Sequence, residues 1–373
     1  MISIEPTMML LLGVIVIALP LTGALFAFTP YLMPKRECFA VTVPDAAQAD
    51  PYLRRLKRAF TAKVLGLTAA LTLLSALSLA FASPQAFLAV LCPALLVLMV
   101  AGYALMLRSR AKVRTYKRER GWKAAGEQMT ALVADESFPK PLSLWWCLLY
   151  VPVILLTLAI GLAGYGAMPE RIPMQVSLDG AVTRWADKSP GVVAFPVIFA
   201  MFMAACFTLG QWSILRSKKG SDPTCPAAST WAYGMFAHAQ SILILGMGLL
   251  ASLIGPLMQL AFVGVLTLAQ TLVPLVAIVA IILVATLAVS VVYGQNGSRL
   301  IARMEASDAM ARDDDRFWKL GIFYVNRGDA SLFLPERFGI GWTINWGRPA
   351  AWALTAGFVL VTAAFVAATL LLT

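Results

Sequence analysis

Apolar and polar positions alternate along this chain in long blocks, with uncharged runs separated by short charged loops. A membrane-crossing helix needs about 20 consecutive apolar residues, and runs of that kind occupy 8–29, 64–82, 87–107, 142–166 and 192–215. From 240 to 293 no side chain is charged. That length holds the sixth and seventh spans with a short turn between them, although 257–271 is apolar enough to form a re-entrant segment instead. An eighth run covers 350–373. The pattern predicts an all-α polytopic membrane protein of about eight transmembrane helices.

The polar stretches set the organisation: a four-helix membrane region over 1–166, an outer loop over 167–191, a three-helix region over 192–293, a polar segment over 294–349 and the last helix. After the first span, D-P-Y-L-R-R-L-K-R reads as a short surface helix. After the third, a dense basic run from Arg108 to Lys123 leads into a plausible amphipathic helix ending near Val133. Between spans four and five, Pro169 and Pro173 disfavour helix in the residues before them, and Asp179-Gly180 reads as the turn of a short hairpin.

Lys and Arg are retained on the cytoplasmic side of a membrane. The loops after spans one, three, five and seven carry 7, 9, 3 and 8 of them, 27 of the 30 in the chain. Only Arg171, Arg184 and Lys188 lie in the loop after span four. This asymmetry predicts both termini outside the cell, the short hairpin outside and the aromatic, basic segment between helices 7 and 8 inside. Trp145, Trp146, Trp212, Trp231, Trp342, Trp346 and Trp352 flank spans on that same inner side, as interfacial anchors do.

Composition agrees, with 60% hydrophobic and 13% charged residues; a soluble domain carries about 25% charged. The net charge of +11 is accounted for by the inner loops, so it predicts no nucleic-acid partner but anionic lipid headgroups on the inner leaflet. Five cysteines without C-x-x-C spacing and a single His238 predict no metal site and no cofactor. The start lacks the basic region of a secretory signal, so the first span is expected to remain. No Asp, Glu, Lys or Arg lies inside a span, which counts against a proton-coupled pump.

Two stretches hold candidate binding residues. In the outer loop, Glu170, Arg171, Asp179, Trp185 and Asp187 form a recognition surface for something arriving from outside, or else a self-paired lid over the bundle. In the inner segment, Trp318, Lys319, Tyr324, Asn326, Arg337, Trp342 and Asn345 belong to an alternation of aromatics and bases. Such a segment suits the lipid interface or a cytosolic protein partner, or else folds as a compact strand-and-turn cap. Gly294 and Gly297 in G-Q-N-G-S read as a helix end, and 305–316, including Asp313 to Asp315, as a solvated charged run. Hydrolase, zinc-protease and P-loop motifs are absent, so no catalytic residue is assigned.

M-P-E-R-I-P followed by a D-G turn and R-W-A-D-K resembles the loop of a bacterial membrane family known as domain of unknown function 1648, which includes the SdpI-type immunity proteins. The inner W-K-L-G-I-F-Y-V-N-R-G-D…F-L-P-E-R-F-G-I-G-W-T-I-N-W resembles its frequent companion, domain of unknown function 5808. Where the first of these families often has His and Asn after I-P, this chain has Gln175 and Ser177. The resemblance implies a non-enzymatic protein that senses, or protects against, a membrane-active peptide or amphiphile. The sequence also leaves room for a lipid or small-solute transporter with a polar cavity between spans five and seven, and for a membrane enzyme that acts on lipid through Lys319, Arg337 and Asn345.

Overall fold

The computed structural model describes residues 6–81, 84–123, 138–176, 182–218, 226–300 and 313–372. Nine α-helices are found among them: α1 Pro6–Leu32, α2 Pro51–Phe81, α3 Pro84–Glu119, α4 Tyr150–Gly164, α5 Pro190–Leu215, α6 Pro226–Ser252, α7 Ile254–Val263, α8 Leu268–Tyr293 and α9 Pro349–Leu372. Seven helical stretches among the described residues are long and apolar enough to cross a membrane, and the described apolar part of α1, Val16–Leu32, adds a shorter one. Their apolar side chains point outward as well as inward: Leu73, Leu96, Val284 and Leu360 are all more than half exposed. In water such faces would be unstable, whereas in hydrocarbon a helix needs only its own backbone satisfied. The chain is an all-α polytopic membrane protein.

Packing follows the chain order. α1 lies against α2 and α3 and also against α8, α8 against α6, and α6 against α5, which in turn carries α4, α7 and α9. α6 packs on both α5 and α8.

Several expectations are corrected. The D-P-Y-L-R-R-L-K-R stretch is no separate surface helix: it forms the first turns of α2. The basic run after Leu107 continues α3 to Glu119, because Arg, Lys and Ala are strong helix formers and no Gly or Pro interrupts them before Gly121. The amphipathic helix expected near Val133 lies outside the described residues.

The 257–271 stretch is helical on both sides of a single turn at 264–267. Pro256 has no N–H to offer the Ser252 carbonyl, which breaks the helix there, and α7 then carries on beyond α6. Gly255 of α7 sits against Thr157 of α4 and Ala200 of α5, and Val263 reaches Gly164 at the far end of α4. At the end of α7, Gly264 adopts φ 84°, the left-handed cap that glycine takes without strain. Thr267 and Gln270 then form a reciprocal capping box that opens α8.

Among the described residues, four two-stranded antiparallel hairpins lie in the loops. β1 Glu37–Cys38 pairs with β2 Val41–Thr42, and β3 Arg171–Val176 with β4 Val182–Asp187. β5 Trp318–Lys319 pairs with β6 Phe323–Tyr324, and β7 Phe333–Pro335 with β8 Trp342–Ile344. The β3–β4 hairpin stands alone between α4 and α5, as the two prolines and the D-G dipeptide predict; the turn itself, with Asp179, lies outside the described residues. The other three gather at the opposite end of the bundle with the basic extension of α3, which defines a hairpin face and a basic face.

Candidate functional sites on the two faces

On the basic face the residues assemble around one buried arginine. Arg337 follows β7, is 4% exposed, and lies over the Trp318 ring with its guanidinium carbon 5.0 Å from the centroid. It pairs with Asp314, with Asp315 at 2.5 Å and with Glu37 at 3.6 Å, and donates to the Thr42 hydroxyl at 3.0 Å. Asp315 also accepts from the Thr42 backbone N–H at 3.0 Å and from the Lys117 ammonium at 2.7 Å. Residues from the loop after α1, from α3 and from the polar segment thus meet in one charge network, so a cluster distant in sequence fastens three pieces of chain. Burial alone would push the Asp315 carboxyl up, but Arg337 and Lys117 beside it hold it down at about 2. A lowered carboxylate contributes stability above its ordinary value of 3.8, and that contribution fades as pH falls toward 2.

This corrects the reading of Asp313 to Asp315 as a solvated run at Asp315, which is buried, while Asp313 is exposed. It also places Arg337 away from any lipid phosphate: its donors face carboxylates. The network steadies an unusual turn. Phe39 (φ 49°) and Ala40 (φ 59°) both take left-handed backbone conformations while fully buried, which costs about 1–3 kcal/mol per residue unless the surroundings impose it. Arg110 and Arg337 both donate to the Ala40 carbonyl and hold it there.

A second hub is Asn345, which is fully buried. Its Oδ1 accepts from the backbone N–H groups of Asn326 and Gly347, and its Nδ2 donates to the carbonyls of Asn326, Asp329 and Ser331. Asp329 receives Lys218 at 2.7 Å and the Tyr324 hydroxyl at 3.1 Å; burial raises its pKa, and Lys218 and Ser331 more than reverse this, to about 2. Gln295, in the G-Q-N-G-S turn, is fully buried and clasps the β7–β8 loop through the Glu336 and Gly341 carbonyls and the Gly341 N–H. Phe338 in that loop packs against Phe26 and Phe60 of α1 and α2. The inner segment is therefore a strand-and-turn cap wedged under the bundle.

Of the residues singled out from sequence, Trp318, Tyr324, Arg337 and Asn345 are buried, and Trp342 donates through its indole N–H to Tyr233 at 3.2 Å. Asn326, half-buried, donates to the Tyr324 hydroxyl. These six build the cap. Lys319 alone among the seven is exposed. Glu37, Thr42, Arg110, Lys117, Lys218 and Gln295 are not candidates by sequence, although Arg110 and Lys117 belong to the basic run after span three and Gln295 to G-Q-N-G-S.

Glu336 stands apart. It is half-buried, its carboxylate lies beside Gly339, and burial pushes it up to about 7. A raised carboxylate lends stability that is complete below its ordinary 4.5 and lost as pH rises through 7. Glu336→Gln is therefore expected to raise the melting temperature at pH 8, by the equivalent of about 2–3 kcal/mol, and to leave it unchanged at pH 4; differential scanning fluorimetry in detergent at both pH values reads this.

On the hairpin face, β3 and β4 pair Arg171 with Asp187, Ile172 with Ala186 and Pro173 with Trp185. Ile172 is fully buried in a small core with Met168, Val192, Val193 and Phe262, which seats the hairpin on α5 and α7. The Lys188 ammonium donates to the Met168 carbonyl at 3.0 Å and lies 5.2 Å from the Tyr165 ring centroid, closing the base. Glu170, Arg171, Trp185 and Asp187 are exposed, and the Arg171–Asp187 pair spans 3.9 Å with side chains 78% and 91% exposed, a surface contact of little energetic weight.

These two faces on an apolar helical bundle define a multi-pass membrane protein. Residues 153–200, which run from α4 through the hairpin into α5, match the family model described as Domain of unknown function (DUF1648). Residues 327–352, from the loop after β6 to the first turn of α9, match that described as Family of unknown function (DUF5808). The chain carries both segments. No curated protein and no solved structure matches it.

Proposed function

We propose that this protein is a non-enzymatic sensor or immunity protein of a bacterial cell membrane, with the hairpin face and both termini outside and the basic face in the cytosol. The hairpin binds an external membrane-active peptide or amphiphile through Trp185 and the charged Glu170, Arg171 and Asp187, and the basic face engages anionic lipid or a cytosolic protein. The distribution of Lys and Arg supports the orientation, and the DUF1648 segment, which contains the hairpin, fits the resemblance to SdpI-type proteins.

One observation carries the coupling between faces. α6 and α7 form a single line of helix, 226–263, with one break at Leu253. At one end Phe262 joins the core under the hairpin; at the other, Tyr233 and Phe236 hold Trp342 of the cap. A ligand that shifts the hairpin against α7 would move the element that seats the cap, which is the physical requirement for a signal to cross.

Deleting the gene and challenging cells with membrane-active peptides tests the proposal. Sensitivity or transcription changes on deletion, wild type restores it, and Trp185→Ala, present in the membrane at the same level, does not. Unchanged sensitivity together with unchanged transcription on deletion contradicts the reading.

A further inference from the structure

We propose that a groove at the foot of α9 is a binding site for the headgroup of an anionic phospholipid, with Arg327 and Arg348 on the phosphate and Trp346 and Trp352 against the glycerol and upper acyl region. The groove has a volume of about 640 Å³, and Val325 and Pro349 complete its walls. Neither guanidinium has an ion-pair or hydrogen-bond partner among the described residues, in contrast to Arg337 and Arg110 nearby. Two free arginines on one concavity form a planar, multi-donor receptor suited to phosphate oxygens.

The site is built rather than incidental. Asn345 fixes both arginine-bearing loops at once, through the Asn326 and Gly347 N–H groups, while its carbonyl accepts from the Arg348 N–H at 3.0 Å. Gly347 lets the two loops touch, since a Cβ there would stand 2.7 Å from the Asn326 carbonyl carbon and 2.9 Å from the Arg327 nitrogen. The Trp352 indole N–H donates to the Trp346 carbonyl at 3.1 Å, and the two rings meet edge to face at 5.1 Å. This aromatic pair marks the headgroup level, where tryptophan partitions.

The occupant follows from what lies above. None of the residues in the apolar window of α9 is buried, and Trp352, Val359 and Leu360 are 61%, 58% and 70% exposed. A ligand whose phosphate sits on Arg327 and Arg348 thus has an open apolar helix beside it for acyl chains, which a soluble anion would leave unused. The first-turn N–H groups of α9 add a weak attraction for negative charge at the same spot. This inference rests on the membrane placement above but not on the sensing role.

The test uses full-length protein in nanodiscs of phosphatidylcholine with phosphatidylglycerol, followed by release into detergent and native mass spectrometry of retained lipid. Wild type is expected to retain phosphatidylglycerol in preference to phosphatidylcholine, and R327A/R348A to lose that preference by about tenfold or more, at about 1 kcal/mol for each base near the surface. The control R55A/R58A, which removes two exposed arginines of α2, is expected to keep it. Absence of the preference in wild type overturns the proposal, as does an equal loss in both double variants. Inorganic phosphate at millimolar concentration is expected to leave the retained lipid in place; its displacement would overturn the lipid assignment in favour of a soluble phosphate.

Discussion

Arg337→Leu is expected to lower the melting temperature of the purified protein by more than about 5 °C and to cut its folded yield, the largest loss of any single substitution on the basic face. Removing one partner of a buried ion cluster costs about 3–5 kcal/mol when groups that stay buried lose an opposite charge, and here Asp314, Asp315 and Glu37 would all lose their shared cation, with Lys117 still on Asp315. The Ala40 carbonyl would also lose one of its two arginine donors, so the left-handed turn of Phe39 and Ala40 would be less firmly held. Asp315→Asn introduced into the Arg337→Leu background should cost less than it does alone, because the two side chains act as one unit. Melting curves of the two single variants and the double variant measure this coupling; a wild-type melting temperature for Arg337→Leu would show that the network carries no weight.

The second large effect lies within the membrane. Gly255→Leu is expected to drive α7 away from α4 and α5. A Cβ at that position already stands 3.1 Å from the Ala200 methyl, the Pro196 carbonyl and the Thr157 hydroxyl, and three further carbons have nowhere to go. Overpacking of this kind costs about 1–3 kcal/mol and sometimes more. The neighbouring contact would suffer with it, because Gln259 donates to the Val193 carbonyl at 2.9 Å and its side chain fills the space against Gly161. Such small-residue contacts and side-chain to backbone bonds are what hold helices together where apolar burial gives no net advantage over lipid. Size-exclusion profiles of a fluorescent fusion read the result, and a monodisperse, wild-type profile with unchanged melting would contradict the close packing described.

What was legible in the sequence follows from which forces act locally. Apolar run length depends on the membrane alone and proline and D-G chemistry on the backbone alone, so the long helices and the hairpin between α4 and α5 could be read without knowing any tertiary contact, whereas the inner segment read equally as a lipid-lying stretch and as a cap. Helix ends were harder: the polar start of α2 reads as a separate surface helix and the basic tail of α3 as a run outside its span, where intrinsic propensity continues both helices. The charge network was not legible, since Glu37, Lys117 and Asp315 come from segments up to 278 positions apart, 315 less 37, and nothing local distinguishes a buried acid from a solvated one. The aromatic and basic residues of the inner segment were seen, but their roles divided only with the fold in hand: Arg337 turned inward to carboxylates, Arg327 and Arg348 outward to the groove.

The hairpin is expected on one side of the bilayer and the basic cap on the other. In a variant with its native cysteines replaced, a single cysteine is placed either at Thr183 on the hairpin or at Ala330 on the cap, both exposed, and intact cells are treated with a membrane-impermeant maleimide. Labelling at Thr183 before lysis and at Ala330 only after it is the predicted result; labelling of both in intact cells, or of Ala330 alone, would contradict it.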